Sequence, residues 1–153
     1  MRWLDLRVPP PLVLGVCGLL TWLVARALPA ADFDLPASGI LCIGLAVAAA
    51  ALFVTALVQF MRAGTTVNPM LPHASSALLV DGAFRLSRNP IYLADLALLL
   101  AWALWLSNAA AFVVLPLFVA YIDRFQIAPE ERVLEARFGA GYNAYRKAVR
   151  RWL

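Results

Sequence analysis

The chain has 153 residues, of which 63% are hydrophobic and only 14% charged, with a mean hydropathy of +0.80. Soluble domains carry about 45–50% apolar and about 25% charged residues, so the composition excludes an ordinary soluble domain and reads as one small polytopic membrane protein. The formal charge of +4 rests mostly on arginines near the chain ends, a pattern of membrane orientation and headgroup contact rather than of nucleic-acid binding.

Four spans can be drawn in chain order. The first covers about residues 11–28 and follows Pro9-Pro10-Pro11, which suits a helix start because proline needs no amide partner there. Its basic flank, Arg2 and Arg7, imitates a signal peptide. No small-residue cleavage site leads into a soluble domain, so a retained helix is expected. The second span covers about residues 38–61, and its small-residue centre, Ala46 to Ala51, lets a neighbouring helix approach closely. A mixed loop over 62–90 holds Asn68-Pro69, Pro72, the lone His73 and Asp81-Gly82. The third span, about 91–106, and the fourth, about 109–125, are separated only by Ser107-Asn108, which predicts a tight antiparallel hairpin. Each span is near the roughly 17–25 residues that a bilayer requires, the third being short.

The tail, 126–153, reads as helical. Pro129 fits a first turn, with Glu130 and Glu131 at the favourable end of the helix dipole. Phe138-Gly139 marks a cap or bend. Tyr142, Tyr145, Val149 and Trp152 recur at helical spacing opposite a basic face, which predicts a helix lying on an anionic membrane surface. The expected fold is therefore a single all-α membrane domain over 1–153, with four transmembrane helices and a C-terminal helix on the cytoplasmic side.

Arginines set the expected topology. Arg62, Arg85 and Arg88 follow the second span, and Arg132, Arg137, Arg146, Lys147, Arg150 and Arg151 lie in the tail, whereas Asp32 and Asp34 follow the first span. The positive-inside rule places both termini and the 62–88 segment on the cytoplasmic side, and a bacterial inner membrane is the expected location. Arg26 is the exception and can snorkel. Cys17 and Cys42 each lie in an apolar run and read as buried thiols. His73 has no second histidine or nearby cysteine, so no metal site is expected, and neither a nucleophilic triad nor a glycine-rich phosphate loop is present.

Arg88-Asn89-Pro90-Ile91-Tyr92 carries the most chemistry. Polar groups at a membrane boundary need a reason. Here the hairpin returns on its other arm to Gln126, Glu130 and Glu131, so two spans of similar length bring these residues close to Asn89 and Tyr92. Asp123 and Arg124 can equally mark the membrane edge, and Glu131 can equally serve as helix N-terminal charge.

Gly64-Thr65-Thr66, the run from Ala77 to Tyr92 (ALLVDGAFRLSRNPIY), Glu130-Glu131 and Phe138 to Tyr145 (FGAGYNAY) together resemble the isoprenylcysteine carboxyl methyltransferase family and its phospholipid N-methyltransferase relatives. The resemblance covers roughly residues 60–153 and leaves the first two spans without a signature. It implies an integral membrane enzyme that uses S-adenosylmethionine and releases S-adenosylhomocysteine. It also implies a cytoplasmic cofactor pocket covered by the C-terminal helix. By position, the family's cofactor residues become Ser76, Ala77, Leu78 and Leu79, then Phe84, then Asn89, Pro90, Ile91 and Tyr92. Ser76 and Asn89 stand where the family often has His, Phe84 where Tyr is frequent, and Ala94 where Gly often follows. Glu130 is implied to bind cofactor or substrate, with Glu130 or Glu131 as the base for a protonated nucleophile. Gln126 stands where those enzymes carry a substrate-binding Arg, with Arg124 two residues earlier. A neutral amide does not replace an Arg fork for a carboxylate, so the implied acceptor is lipophilic or lipid-linked with its nucleophile open. Against this enzyme stands a non-catalytic membrane scaffold or assembly subunit that keeps the fold. Oligomeric state is open, since the Ala-rich second span suits either internal packing or a dimer seam.

Overall fold

The computed structural model describes residues 5–36, 38–65 and 76–153. Asn68-Pro69, Pro72 and His73 lie outside them. Among the described residues the architecture is helical throughout. Helix α1 (Pro10–Ala27) starts on proline, as the sequence predicts, and a short 3-10 turn (Pro29–Ala31) follows it. Helix α2 (Ser38–Arg62) presents Ile40, Leu41, Ile43, Val47, Val54 and Met61 outward, the face that lipid requires. Helix α4 (Pro90–Trp105) is the centre of the bundle and packs against α1, α2 and the fourth span. It packs most closely on α2, where Ala49 and Ala56 are buried. Helices α1 and α2 make little direct contact with each other.

Before α4 lies the single turn α3 (Ala83–Leu86), anchored by the end of α2. Gln59 donates to the Asp81 carbonyl at 2.7 Å and accepts from the Ala83 amide at 3.0 Å. Gly82 between them has φ +54°, which favours glycine, and a Cβ there would push the Gln59 amide off these two bonds.

The expected hairpin is present. Ser107 adopts φ +49°, and the Asn108 side chain, fully buried, holds the turn. Its Nδ2 donates to the Leu28 carbonyl at 2.8 Å and to Asp32 Oδ1 at 2.7 Å, while its Oδ1 accepts from the Ala111 amide at 3.1 Å. The α1–α2 connection is thereby tied to the α4 turn.

The fourth span differs from the expected 109–125 followed by a new helix at Pro129. A 3-10 segment (Ala109–Val113), α5 (Val114–Ile122), a π-helical segment (Asp123–Ile127) and α6 (Ala128–Phe138) run on without a break. Pro129 has no N–H for the Phe125 carbonyl four residues back, and that carbonyl accepts from the Leu6 amide at 3.0 Å instead. The chain meets the missing bond by widening to a π turn, closed by the Ala128 amide on the Asp123 carbonyl. The 30 residues from Ala109 to Phe138 exceed the about 20 that cross a bilayer, so the turns after Phe125 project beyond the apolar slab.

Gly139, at φ +49°, ends α6 and turns the chain into α7 (Ala140–Ala148). Tyr142 and Tyr145 do not lie on a membrane surface as their spacing suggested. Both are buried against Ala56, Ala83 and Phe84, and the Tyr145 hydroxyl donates to the Phe84 carbonyl at 2.6 Å. A second core joins α1, α4 and the fourth span through Val13, Cys17, Tyr92, Leu99, Phe118 and Ile122. Cys17 and Cys42 are free and buried.

Candidate functional site

One cavity of about 610 Å³ runs from the charged end of the bundle into the apolar layer between α1, α2 and α4. This size falls in the range of about 300–1,000 Å³ typical of small-molecule sites. Its charged end is lined by Leu78, Leu79, Phe84, Arg88, Asn89, Tyr92, Glu130, Glu131, Tyr142 and Tyr145. Its apolar end is lined by Leu14 of α1, Ala46, Ala49, Ala50 and Phe53 of α2, and Leu98 of α4. A second, almost wholly apolar cavity of about 600 Å³ shares Leu14, Ala46 and Leu98 with it and continues along the same helices toward Trp22 and Trp105.

The hairpin delivers the central contact. The Tyr92 hydroxyl donates to Glu130 Oε1 at 2.5 Å, joining the first turn of α4 to α6. No cation pairs with Glu130 among the described residues. Burial pushes its carboxyl from an ordinary 4.5 up to about 8; the neighbouring Glu131 charge adds to this rise and the Tyr92 hydrogen bond opposes it.

Glu131 has the opposite environment. Its Oε1 lies 3.0 Å from Arg88 Nη2 and 3.1 Å from Arg151 Nε, and its Oε2 lies 2.6 Å from Arg151 Nη2. Arg151 also reaches Asp123 at 3.5 Å, and Trp152 Nε1 donates to the same carboxylate at 3.1 Å. The side-chain bond to Glu131 raises the Arg151 guanidinium further still. The chain end is thus strapped across Ser87–Asn89: the Arg88 amide donates to the Arg150 carbonyl at 3.0 Å, and Ser87 Oγ and Asn89 Nδ2 donate to the Arg151 carbonyl at 3.1 and 2.9 Å. Tyr142, which closes this end of the cavity, is pushed up to about 12, by burial first and the Glu131 charge second.

The cavity brings together most of the residues singled out in the sequence: Ala77, Leu78, Leu79, Phe84, Asn89, Pro90, Ile91, Tyr92, Glu130 and Glu131 all line it. Three others lie elsewhere. Ser76 is exposed, its hydroxyl donating to the Gly64 carbonyl at 3.2 Å. Gln126 is fully buried and points to the N-terminal segment, donating to the Val8 carbonyl at 2.7 Å. Arg124 is exposed, 3.6 Å from Asp5 and 5.4 Å from the Phe125 ring centre. The extra residue of the π turn is the reason: it rotates everything beyond it by roughly 100° against a regular helix, so Glu130 faces α4 while Gln126 does not.

Sequence reasoning missed one ionisable lining residue. Asp95 lies one turn deeper than Tyr92 on the same wall of α4, buried, between the charged and apolar ends. A carboxyl inside an otherwise apolar run is the signal that would have found it. Arg88 was legible as part of a motif, but its burial was not.

The model of the phospholipid methyltransferase family matches residues 37–141, which spans α2 to the start of α7. An uncharacterized protein of Haemophilus influenzae is 49% identical over 63 residues, 41% of this chain and the whole of that protein. No solved structure matches significantly.

Proposed function

We infer the activity from one premise: the chain belongs to the phospholipid methyltransferase family. It is an integral membrane protein of methyltransferase kind. In our reading it takes its methyl group from S-adenosylmethionine, releases S-adenosylhomocysteine and methylates a lipophilic or lipid-linked acceptor. The charged end of the bundle, with both termini, faces the cytoplasm of a bacterial inner membrane. The observation that carries this reading is the division of one cavity into a polar, aromatic-walled end and an apolar end set among membrane helices.

The donor set fits the methyl donor. Phe84, Tyr142 and Tyr145 supply rings and Leu78 and Leu79 apolar walls for a purine, and Glu130 supplies a carboxylate for a cation. When bound, S-adenosylmethionine supplies a methyl carbon on a positively charged sulfur, open to direct displacement. The chain's own part is alignment, which contributes a large share of the barrier reduction in such reactions. Tyr92 fixes Glu130 through Oε1. The remaining oxygen, Oε2, is free to compensate positive charge or accept a proton from a protonated nucleophile, and a carboxyl raised to about 8 is matched to that task near neutral pH. Glu131, held on both oxygens by Arg88 and Arg151, positions Arg88 instead. Toward the apolar end Asp95 is the ionisable residue lining the wall, which suits a neutral or cationic acceptor headgroup and not a carboxylate.

Calorimetry with S-adenosylhomocysteine on folded protein in detergent tests the reading. Binding is expected, and its absence would leave a non-catalytic scaffold as the better account. A labelled-methyl assay against membrane extracts should yield a product that is not a base-labile methyl ester; such an ester would overturn the assignment of the acceptor end.

A further inference from the structure

Among the described residues, Arg88 is the charged side chain with the most buried polar atoms left unmet. Its side chain is only 9% exposed, yet Nε and Nη1 are buried without a hydrogen-bond partner. Only Nη2 is engaged, by Glu131, and Glu131 is shared with Arg151. Leaving buried donors of a charged group unmet is costlier than leaving those of a neutral one. The guanidinium lines the charged end of the cavity. A second feature points to the same place. Helix α4, 16 residues long, begins there with no side-chain cap, and the Asn89 side-chain amide donates to the Arg151 carbonyl. The positive end of the α4 dipole, at Ile91 and Tyr92, therefore borders the same space. Glu130 lines this end as well, and among the described residues no cation pairs with its carboxyl group.

A planar guanidinium edge, an uncapped helix start and a separate carboxyl group without a cation partner together complement a zwitterion: a carboxylate for the first two, an ammonium or sulfonium for the third. We propose that Arg88 binds the carboxylate of the amino-acid portion of the methyl donor, through its free Nε–H and Nη1–H. The assignment rests on the reading that the cavity binds S-adenosylmethionine. The donor's anion is favoured over an acceptor's phosphate because Arg88 lies among Phe84, Tyr142 and Tyr145, at the end of the cavity away from the apolar layer.

The test is calorimetry in detergent with two ligands, S-adenosylhomocysteine and its decarboxylated analogue, on wild type, R88K and R88Q. Wild type should prefer the carboxylate-bearing ligand by about 10- to 100-fold, the range of a charge-assisted pair. R88Q should lose that preference while binding the analogue within about threefold of wild type. R88K, a point charge without the fork, should keep part of it. The wild-type comparison decides even where R88Q fails to fold: equal affinity for the two ligands overturns the proposal. A preference that survives intact in folded R88Q overturns it too, and assigns the free guanidinium edge to an acceptor phosphate. If folded wild type binds neither ligand, the methyl-donor reading itself falls, a result distinguishable from both.

Discussion

Glu130 should make the protein less stable as pH rises, and E130Q should remove that dependence. The carboxyl has a folded value of about 8 against an ordinary 4.5. Because the folded value is the higher one, the folded state holds the proton more tightly than the unfolded state. The associated stability is fully present below about pH 4.5 and is lost progressively as pH rises through about 8. The two values differ by about 3.5, and at about 1.36 kcal/mol for each tenfold change in proton affinity the ceiling is about 5 kcal/mol. Glu130 borders an open cavity where water screens part of this, so about 2–3 kcal/mol is expected. Gln keeps an acceptor for the Tyr92 hydroxyl but cannot ionise. At about 2–4 °C per kcal/mol for a chain of this size, the melting temperature of E130Q in detergent should exceed that of wild type by about 5–10 °C at pH 8.5. The two should nearly coincide at pH 4.5. A difference that stays constant across that range would refute the reasoning, since a neutral packing effect has no reason to titrate.

Two further outcomes separate the ends of the molecule. Ala50 of α2 lines the apolar end of the cavity without being buried, so A50F should fill that space. It should lower acceptor methylation at least tenfold and leave S-adenosylhomocysteine affinity within twofold; equal losses in both would show that the two ends are not separable. Asn108, fully buried at the hairpin, satisfies the Leu28 carbonyl and the Ala111 amide, so N108A should cost about 2–4 kcal/mol. The loss reads as a fall of about 5–15 °C in melting temperature with ligand affinity unchanged, because the turn lies at the opposite end of α4 from Tyr92.

Much of this was legible in the sequence because it followed from local rules. Pro90 starts α4, Ser107-Asn108 makes the hairpin, and Phe138-Gly139 bends the tail, each by conformational chemistry contained in two or three residues. Two spans of similar length bring the 126–131 segment to the level of Tyr92, but the choice of Glu130 as its partner depends on the π turn. What escaped depends on contacts across the fold. Pro129 looked like a helix start because nothing local shows that Leu6 would satisfy the Phe125 carbonyl and let the helix continue. That continuation, through a π turn, carried Gln126 away from the cavity. Tyr142 and Tyr145 looked like membrane-facing residues because periodicity gives a face but not what covers it; here the cover is Ala56, Ala83 and Phe84. Arg88 and Arg151 looked like topology signals, and only the fold shows them converging on one carboxylate.

Helices α1 and α2 scarcely touch along the cavity, and the acceptor proposed above, arriving there from the bilayer, would be counted per lipid, not per litre. Its effective concentration is a mole fraction within a two-dimensional solvent, and added detergent dilutes it even at constant total amount. Rates measured in mixed micelles will therefore fall as detergent rises and mimic inhibition. The half-saturating quantity to report is the acceptor's share of the amphiphile, whereas for a ligand entering from water it remains an ordinary molarity.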